Sequence, residues 1–465
     1  MIRAIRNAHI PVNRLPPEIL SRVFQHHDCE QDRVVATHVC QYWRSALISS
    51  PPLWTYLRLI SDSHVDRALT YLKRSKSVTI DIEMTPDLLS SPDVPRHFAP
   101  HISRIRSLVV HGPLMLHAAP SLLLCEPVPA LEHLTIERHH LGVPANPVDR
   151  FLGEDAPLLR SAVFIGICPI LESPFPLPSL TELHLGLTKD MGPLHMNSLF
   201  RLYSSYPLLQ EIYIKISCEI IEDICSGQVT SLNSLVKLEY ACVTAIRFLP
   251  FLRLPRLEQL SVSTPWEKEK VDSMADILPY NGRVLLSGST AYSYSHREGS
   301  QIVKVSGKGV IASFSLPRKV DFPTPPGLFL DRTYIPLGQI EDLRFEGDFI
   351  PENYPTNLFE NVTKLKVIPW GESFSRKVFQ PLYPDREKGI PCPSLREIEY
   401  NFSADGGIRS LLNLADQRKR ANRQLKLVCV LGSRALDPDI EQILRWNVGE
   451  LRVNLRPRPP PMALG

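Results

Sequence analysis

One short pattern, apolar–x–x–apolar–x–apolar, recurs along most of this chain of 465 residues. It stands as IRSLVV from Ile105, LEHLTI from Leu131, LRSAVF from Leu159, LTELHL from Leu180, LQEIYI from Leu209, LVKLEY from Leu235 and LEQLSV from Leu257. It returns as IEDLRF from Ile340, VTKLKV from Val362 and LREIEY from Leu395, with LKLVCV from Leu425 as a last copy. Neighbours lie 26, 28, 21, 29, 26 and 22 residues apart in the first group and 22, 33 and 30 in the second. A proline stands two places ahead of the first apolar residue at Pro129, Pro157, Pro178, Pro207, Pro255 and Pro393. Proline cannot continue a helix and lacks the donor that a central strand position needs. Set at this offset, it ends the incoming segment and starts an extended one. This gives a use to the 43 prolines of the chain, about 9 % against a usual ~5 %.

A unit of one strand plus a return segment cannot bury its apolar side alone, whereas stacked units share a continuous core. A stack also grows to four hundred residues without splitting, because each added unit brings its own buried layer. The spacing resembles that of leucine-rich repeats, which run ~20–29 residues around a Leu-x-x-Leu-x-Leu core. The copies are irregular and the consensus Asn after the motif is missing. From about 265 to 339 the pattern lapses. There EKEKVDSMADIL reads as a charged helix, and RVLLSG, IVKVSG and VIASFSL read as strands between Gly and Ser turns. Two atypical repeats and an inserted hairpin both fit.

The first sixty residues differ in kind. NRLPPEILSRVF opens with Pro16 and Pro17, which suit the first turn of a helix. Ile19, Leu20, Val23 and Phe24 then form one apolar stripe. The polar run HHDCEQD breaks it. A second helical pattern follows through Val34, Val35, Ala36, Val39, Cys40, Trp43, Ala46 and Leu47, and SSPPLW closes it with Trp54 as an aromatic plug. About forty residues in short helices make a poor core, and domains that small usually need a metal, a disulfide or a partner. Two readings follow: another protein completes the apolar face, or the helices cap the larger fold behind them.

LPPEILSRVF, VVATHVCQYWRSAL and SSPPLW together look like an F-box, most closely the version in fungal F-box proteins. The resemblance covers residues 12 to 58, and three blocks in order are fairly specific. It implies docking on the Skp adaptor and, through it, on a cullin–RING ubiquitin ligase. Leu15, Pro16, Ile19, Leu20 and Phe24 would meet the adaptor; Val35, Val39 and Trp43 would divide between that contact and the internal core. HHDCEQD lacks the usual second leucine-rich patch, which implies a thinner contact there. The basic bias of the segment suits either an acidic partner or a solvated face.

The expected architecture is α/β: an N-terminal segment over 1–11, a small helical F-box over 12–58 and an irregular leucine-rich-repeat-like solenoid over 59–455. A Pro-rich tail at 456–465 contains RPRPPP, an extended polyproline run that fits an SH3-like groove or an unstructured end. The expected function is that of an SCF substrate receptor holding a target protein on the repeats. The guessed target contacts are Glu132, His133, Glu182, His184, Glu211 and Tyr213, which alternate with the buried set in a strand. Trp266, Trp370 and Phe374 are either anchors for a bound protein or plugs at the ends of the stack. The alternatives are an F-box scaffold working outside ubiquitin transfer and a repeat protein with a degenerate hydrolase function.

Other classes find little support. Net charge is +3, from 52 basic and 49 acidic side chains, too small for a strong nucleic-acid or membrane field. No apolar run reaches the ~18 residues of a membrane helix. Nine scattered cysteines form no CxxC, and MIRAIRNAHIPVNRLPP lacks an apolar signal core. The expectation is reduced thiols in the cytosol or nucleus, with no cofactor and no metal. His26–His27 and His139–His140 are adjacent pairs that do not converge as ligands do. HExxH and GxSxG are absent, and SGKGV lacks the spacing of a P-loop. The reading is therefore non-enzymatic.

Overall fold

The computed structural model describes residues 10–26, 30–85, 88, 93–112, 125–138, 151–172, 175–221, 229–242, 249–263, 278–297, 300–307, 309–317, 335–347, 356, 359–370, 372–385, 389–402, 406–432 and 435–455. The chain forms two compact units, Met1–Asp223 and Ile224–Gly465. His27, His139, His140, Trp266, most of EKEKVDSMADIL and the RPRPPP run lie outside the described residues.

The first unit opens with three short helices, α1 (Pro17–Gln25), α2 (Glu30–Ala36) and α3 (Gln41–Ile48). The second helical pattern of the sequence is thus two helices rather than one. Thr37 Oγ1 turns back onto the Val34 carbonyl at 2.7 Å, and Cys40 caps α3 through Sγ at 3.5 Å from the Trp43 amide. Side chains that satisfy the backbone locally compete with helix continuation. A 3-10 turn at Pro51–Trp54 buries Leu53 and Trp54, and the Trp54 indole donates to the Leu47 carbonyl at 2.9 Å. Helix α4 (Val65–Arg74) lays Tyr71 against Trp54 with ring centroids 5.0 Å apart.

Seven parallel strands follow one another in the first unit: β1 (Tyr56–Leu59), β2 (Ile80–Met84), β3 (Ile105–Gly112), β4 (His133–Arg138), β5 (Ser161–Ile165), β6 (Glu182–Leu187) and β7 (Glu211–Ile216). Each pairs with its predecessor, and their register aligns Leu57, Ile82, Leu108, Leu134, Ala162, Leu183 and Ile212 in one buried row. Parallel strands need crossovers, and the return segments supply them, as at helix α5 (Met196–Ser205) before β7.

The second unit contains β8 (Lys237–Cys242), β9 (Gln259–Ser263), β10 (Ala291–Arg297), β11 (Ser300–Gly307), β12 (Val310–Pro317), β13 (Asp342–Gly347), β14 (Lys364–Pro369), β15 (Glu397–Phe402), β16 (Leu427–Gly432) and β17 (Glu450–Leu455). Here the lapse in the motif resolves into hairpins. β11 is antiparallel to both β10 and β12, whereas β12 pairs parallel with β9 and β10 parallel with β13. The inner row runs through unbroken: Leu260, Ala312, Val305, Tyr292, Leu343 and Leu365 are cross-strand partners and all are buried. RVLLSG, read as a strand, is instead a one-turn helix at Gly282–Leu286. AYSYSHR supplies the strand that the pattern did not indicate. Within SGKGV, Gly307 pairs with Val310 where β11 meets β12, and Gly309 has φ 88°.

Every one of the eleven motif copies contains a strand, and the residue that opens each copy is buried. The prolines have a defined task. In all six cases the amide of the motif's first residue bonds to the carbonyl three places back, as in Leu131 to Val128 at 3.1 Å and Leu395 to Cys392 at 3.0 Å. Proline therefore sits at the second position of a four-residue turn, where its fixed φ matches the turn geometry. The three N-terminal helices thus lead into a mixed α/β region dominated by parallel sheet.

Candidate docking surface

Pro16 caps α1 and Pro17 begins it, so the missing N–H groups fall where no intrahelical partner exists. The helix is amphipathic, with Leu20 and Ser21 buried. Leu20 is 1 % exposed, enclosed by its own module. The sequence reading groups it with the adaptor contacts, and here it faces inward. One position earlier the helix faces out: Ile19 is 42 % exposed and Val23, one turn on, is 52 % exposed. Val35 and Val39, beside the break between α2 and α3, are 61 % and 56 % exposed. Ile10 and Val12 are exposed as well. Scattered exposed aliphatics are ordinary; six within thirty residues, two of them on one helix face, are not.

Phe24 and Trp43 are half-buried and pack edge to face, with ring centroids 5.5 Å apart. Trp43 Nε1 donates to Asn13 Oδ1 at 2.6 Å, and Tyr42 Oη donates to the Leu15 carbonyl. These bonds tie α3 to the segment ahead of α1. Leu15 is half-buried and Pro16 exposed. Arg33 Nη1 bonds to the Leu53 carbonyl at 3.0 Å, Arg44 Nε to the Thr37 carbonyl at 3.0 Å, and Glu30 pairs with Arg67 at 3.2 Å. The module is thus braced by polar bonds from within and leaves an aliphatic surface without. Such a surface can hold a hydrophobic partner face.

The guessed target residues lie on the first unit's sheet. His133, Glu182 and Glu211 share one row, and His184 and Tyr213 face each other in another. The His184 and Tyr213 rings are 4.0 Å apart, His184 Nε2 lies 2.8 Å from Glu182 Oε1, and Tyr213 Oη donates to Glu211 Oε2 at 2.9 Å. Glu132 stands just ahead of β4, its amide bonded to the Arg106 carbonyl, and is off these rows. Sequence reasoning missed the ion pairs beside them, Arg58–Glu83 at 3.2 Å and Arg106–Asp81 at 2.6 Å. Their signal was the alternation of charge with the buried positions. It also passed over the outward placement of Val23, Ile10 and Val12, because helical spacing groups Val23 with Leu20 and Phe24. Phe374 is fully buried, whereas Trp370 is 48 % exposed.

Among the described residues no three His, Cys, Asp or Glu side chains converge as metal ligands do, and no helix is long and apolar enough to cross a membrane. Burial pushes the Cys392 thiol up to about 12, far from the range of a reactive nucleophile.

No curated protein matches the chain. Residues 12–60 match the model of the F-box-like family. F-box domains generally dock on the Skp adaptor in SCF complexes and are typically non-catalytic adaptors. The helical segment at residues 12–60 is an F-box-like domain.

Proposed function

We propose that this chain is a substrate receptor of an SCF-type cullin–RING ubiquitin ligase, related to the fungal F-box proteins. Its F-box, over 12–58, docks on the Skp adaptor; the region 59–455 is an irregular leucine-rich-repeat-like solenoid that holds a target protein. Catalysis is then positioning, since a bound target has a high effective concentration near the transferring enzyme. The chain works in the cytoplasm, the nucleus or both.

The observation that carries this reading is the outward aliphatic set Ile19, Val23, Val35 and Val39 on a module of three short helices matching the F-box-like family. Burying one such side chain fully is worth about 1.5–3 kcal/mol, so several together support a stable complex. Leu15, Pro16, Phe24 and Trp43 border that set, and Leu20 supports it from beneath. The unbroken buried rows and the six proline turns support the solenoid. The outward residues His133, Glu182, His184, Glu211 and Tyr213, with Glu132 at their edge, form the target surface.

Capture of purified Skp adaptor by the full chain tests docking. Adding a cullin and following ubiquitin on a co-purified protein separates receptor from scaffold: ubiquitin on the target supports the receptor, and stable adaptor binding with no modified target supports the scaffold.

A further inference from the structure

The outward face of the second unit's sheet carries a second feature. On β9, β12 and β10 serines hold outward positions in two successive rows: Ser261, Ser313 and Ser293 in one, and Ser263, Ser315 and Ser295 in the next, where Ile302 lies between Ser315 and Ser295. Serine is short, so this part of the face is low. The first row continues with long cations, Lys304 between Ser313 and Ser293, then Arg344 and Lys366 beyond. Where these long side chains stand beside the short Ala291, Ser293 and Ser306 lies a groove of about 360 Å³, with half-exposed Ile311 also in its lining.

The lining holds four cations, Lys304, Arg344, Lys364 and Lys366, against two carboxylates, Asp342 and Glu399. Lys366 is occupied by Glu399, and Arg344 Nη2 reaches Glu346 Oε2 at 2.6 Å. Lys304 and Lys364 are exposed and make no ion pair among the described residues. Arg344 Nε is buried and meets no acceptor there.

We propose that this groove binds an acidic peptide segment of a partner protein, its carboxylates meeting Lys304 and Lys364 and an apolar side chain resting on Ile311. The interleaved Asp342 and Glu399 favour spaced carboxylates over a polynucleotide, whose closely repeated phosphates would meet them. The assignment goes beyond adaptor docking and stands whether or not residues 12–60 bind their adaptor.

The test uses the full chain and a fluorescein-labelled peptide of alternating Glu and Gly with one Leu, read by fluorescence anisotropy. Saturable binding that weakens with added salt is expected. Lys304→Glu with Lys364→Glu weakens it by about tenfold or more, and the milder Lys304→Gln with Lys364→Gln weakens it less. Lys73→Glu with Lys426→Glu, an equal change in net charge on exposed side chains, leaves Kd within about twofold. Absence of saturable binding overturns the proposal, as does equal loss in the control pair. Tighter binding of single-stranded RNA with the same sensitivity to Lys304 and Lys364 overturns the peptide assignment.

Discussion

Phe24 meets Trp43 edge to face, with ring centroids 5.5 Å apart and planes inclined at 68°. Because Trp43 also donates to Asn13 at 2.6 Å, this contact joins α1, α3 and the segment ahead of them. Trp43→Ala removes an aromatic pair and an anchored indole at once. We expect a loss of about 2–4 kcal/mol in the unit that carries it, read from the denaturant midpoint. A change below about 0.5 kcal/mol would mean the pair is incidental.

Neighbouring positions on α1 should separate folding from docking. Leu20→Asp places a charge where the side chain is 1 % exposed and should unfold the N-terminal module. Ile19→Glu with Val23→Glu alters only outward positions, and stability should stay within about 1 kcal/mol of the parent. Circular dichroism melts of the two variants distinguish them; equal destabilisation would show that Ile19 and Val23 serve the module's own core.

Arg418, on the helix Gly406–Arg420, is fully buried and donates to the carbonyls of Pro391 at 3.0 Å, Cys392 at 3.1 Å and Leu395 at 3.5 Å. These carbonyls lie in the turn that launches β15. Arg418→Met keeps the bulk but removes all three guanidinium bonds, leaving the Cys392 carbonyl only its bond from the Leu395 amide, with an expected loss of about 2–4 kcal/mol. Equilibrium unfolding in urea measures it, and a neutral result would show that other donors replace the guanidinium.

Tyr71 gives a pH signature. Burial first, and the negative charge of Glu30 second, push its phenol up from 10.0 to about 12. The folded state therefore favours the protonated phenol. Its contribution is intact below pH 10, the unfolded value, and is lost as pH rises from 10 through about 12. Unfolding of the parent should steepen in that window, and Tyr71→Phe should lessen the steepening without abolishing it, because Tyr56 is likewise pushed up to about 12. Identical pH profiles would show that Tyr71 is not the group responsible.

Much of this architecture is legible in the chain because period-two alternation and a fixed proline offset are local signals. Leu131 and Pro129, or Leu395 and Pro393, declare a turn and a strand within six residues. The strand AYSYSHR escaped because its inward residues are Tyr292 and Tyr294, not aliphatics in the recurrent pattern. RVLLSG misled in the opposite way: its apolar run is too short for periodicity to choose between helix and strand. The docking surface was legible in composition but not in aspect. Helical spacing places Ile19, Leu20, Val23 and Phe24 in one stripe, and only packing decides that Leu20 turns inward while Ile19 and Val23 turn out. The groove on the second unit's part of the sheet was invisible, since Lys304, Arg344 and Lys366 are distant in sequence and meet only through register.

The most direct measurement is the affinity of purified Skp adaptor for the full chain and for its folded Ile19→Glu/Val23→Glu variant, by calorimetry. The account expects saturable one-to-one binding to the parent and a loss of at least about a hundredfold, some 2.7 kcal/mol, in the variant. Undiminished binding to a folded variant, or no binding to the parent, would contradict it.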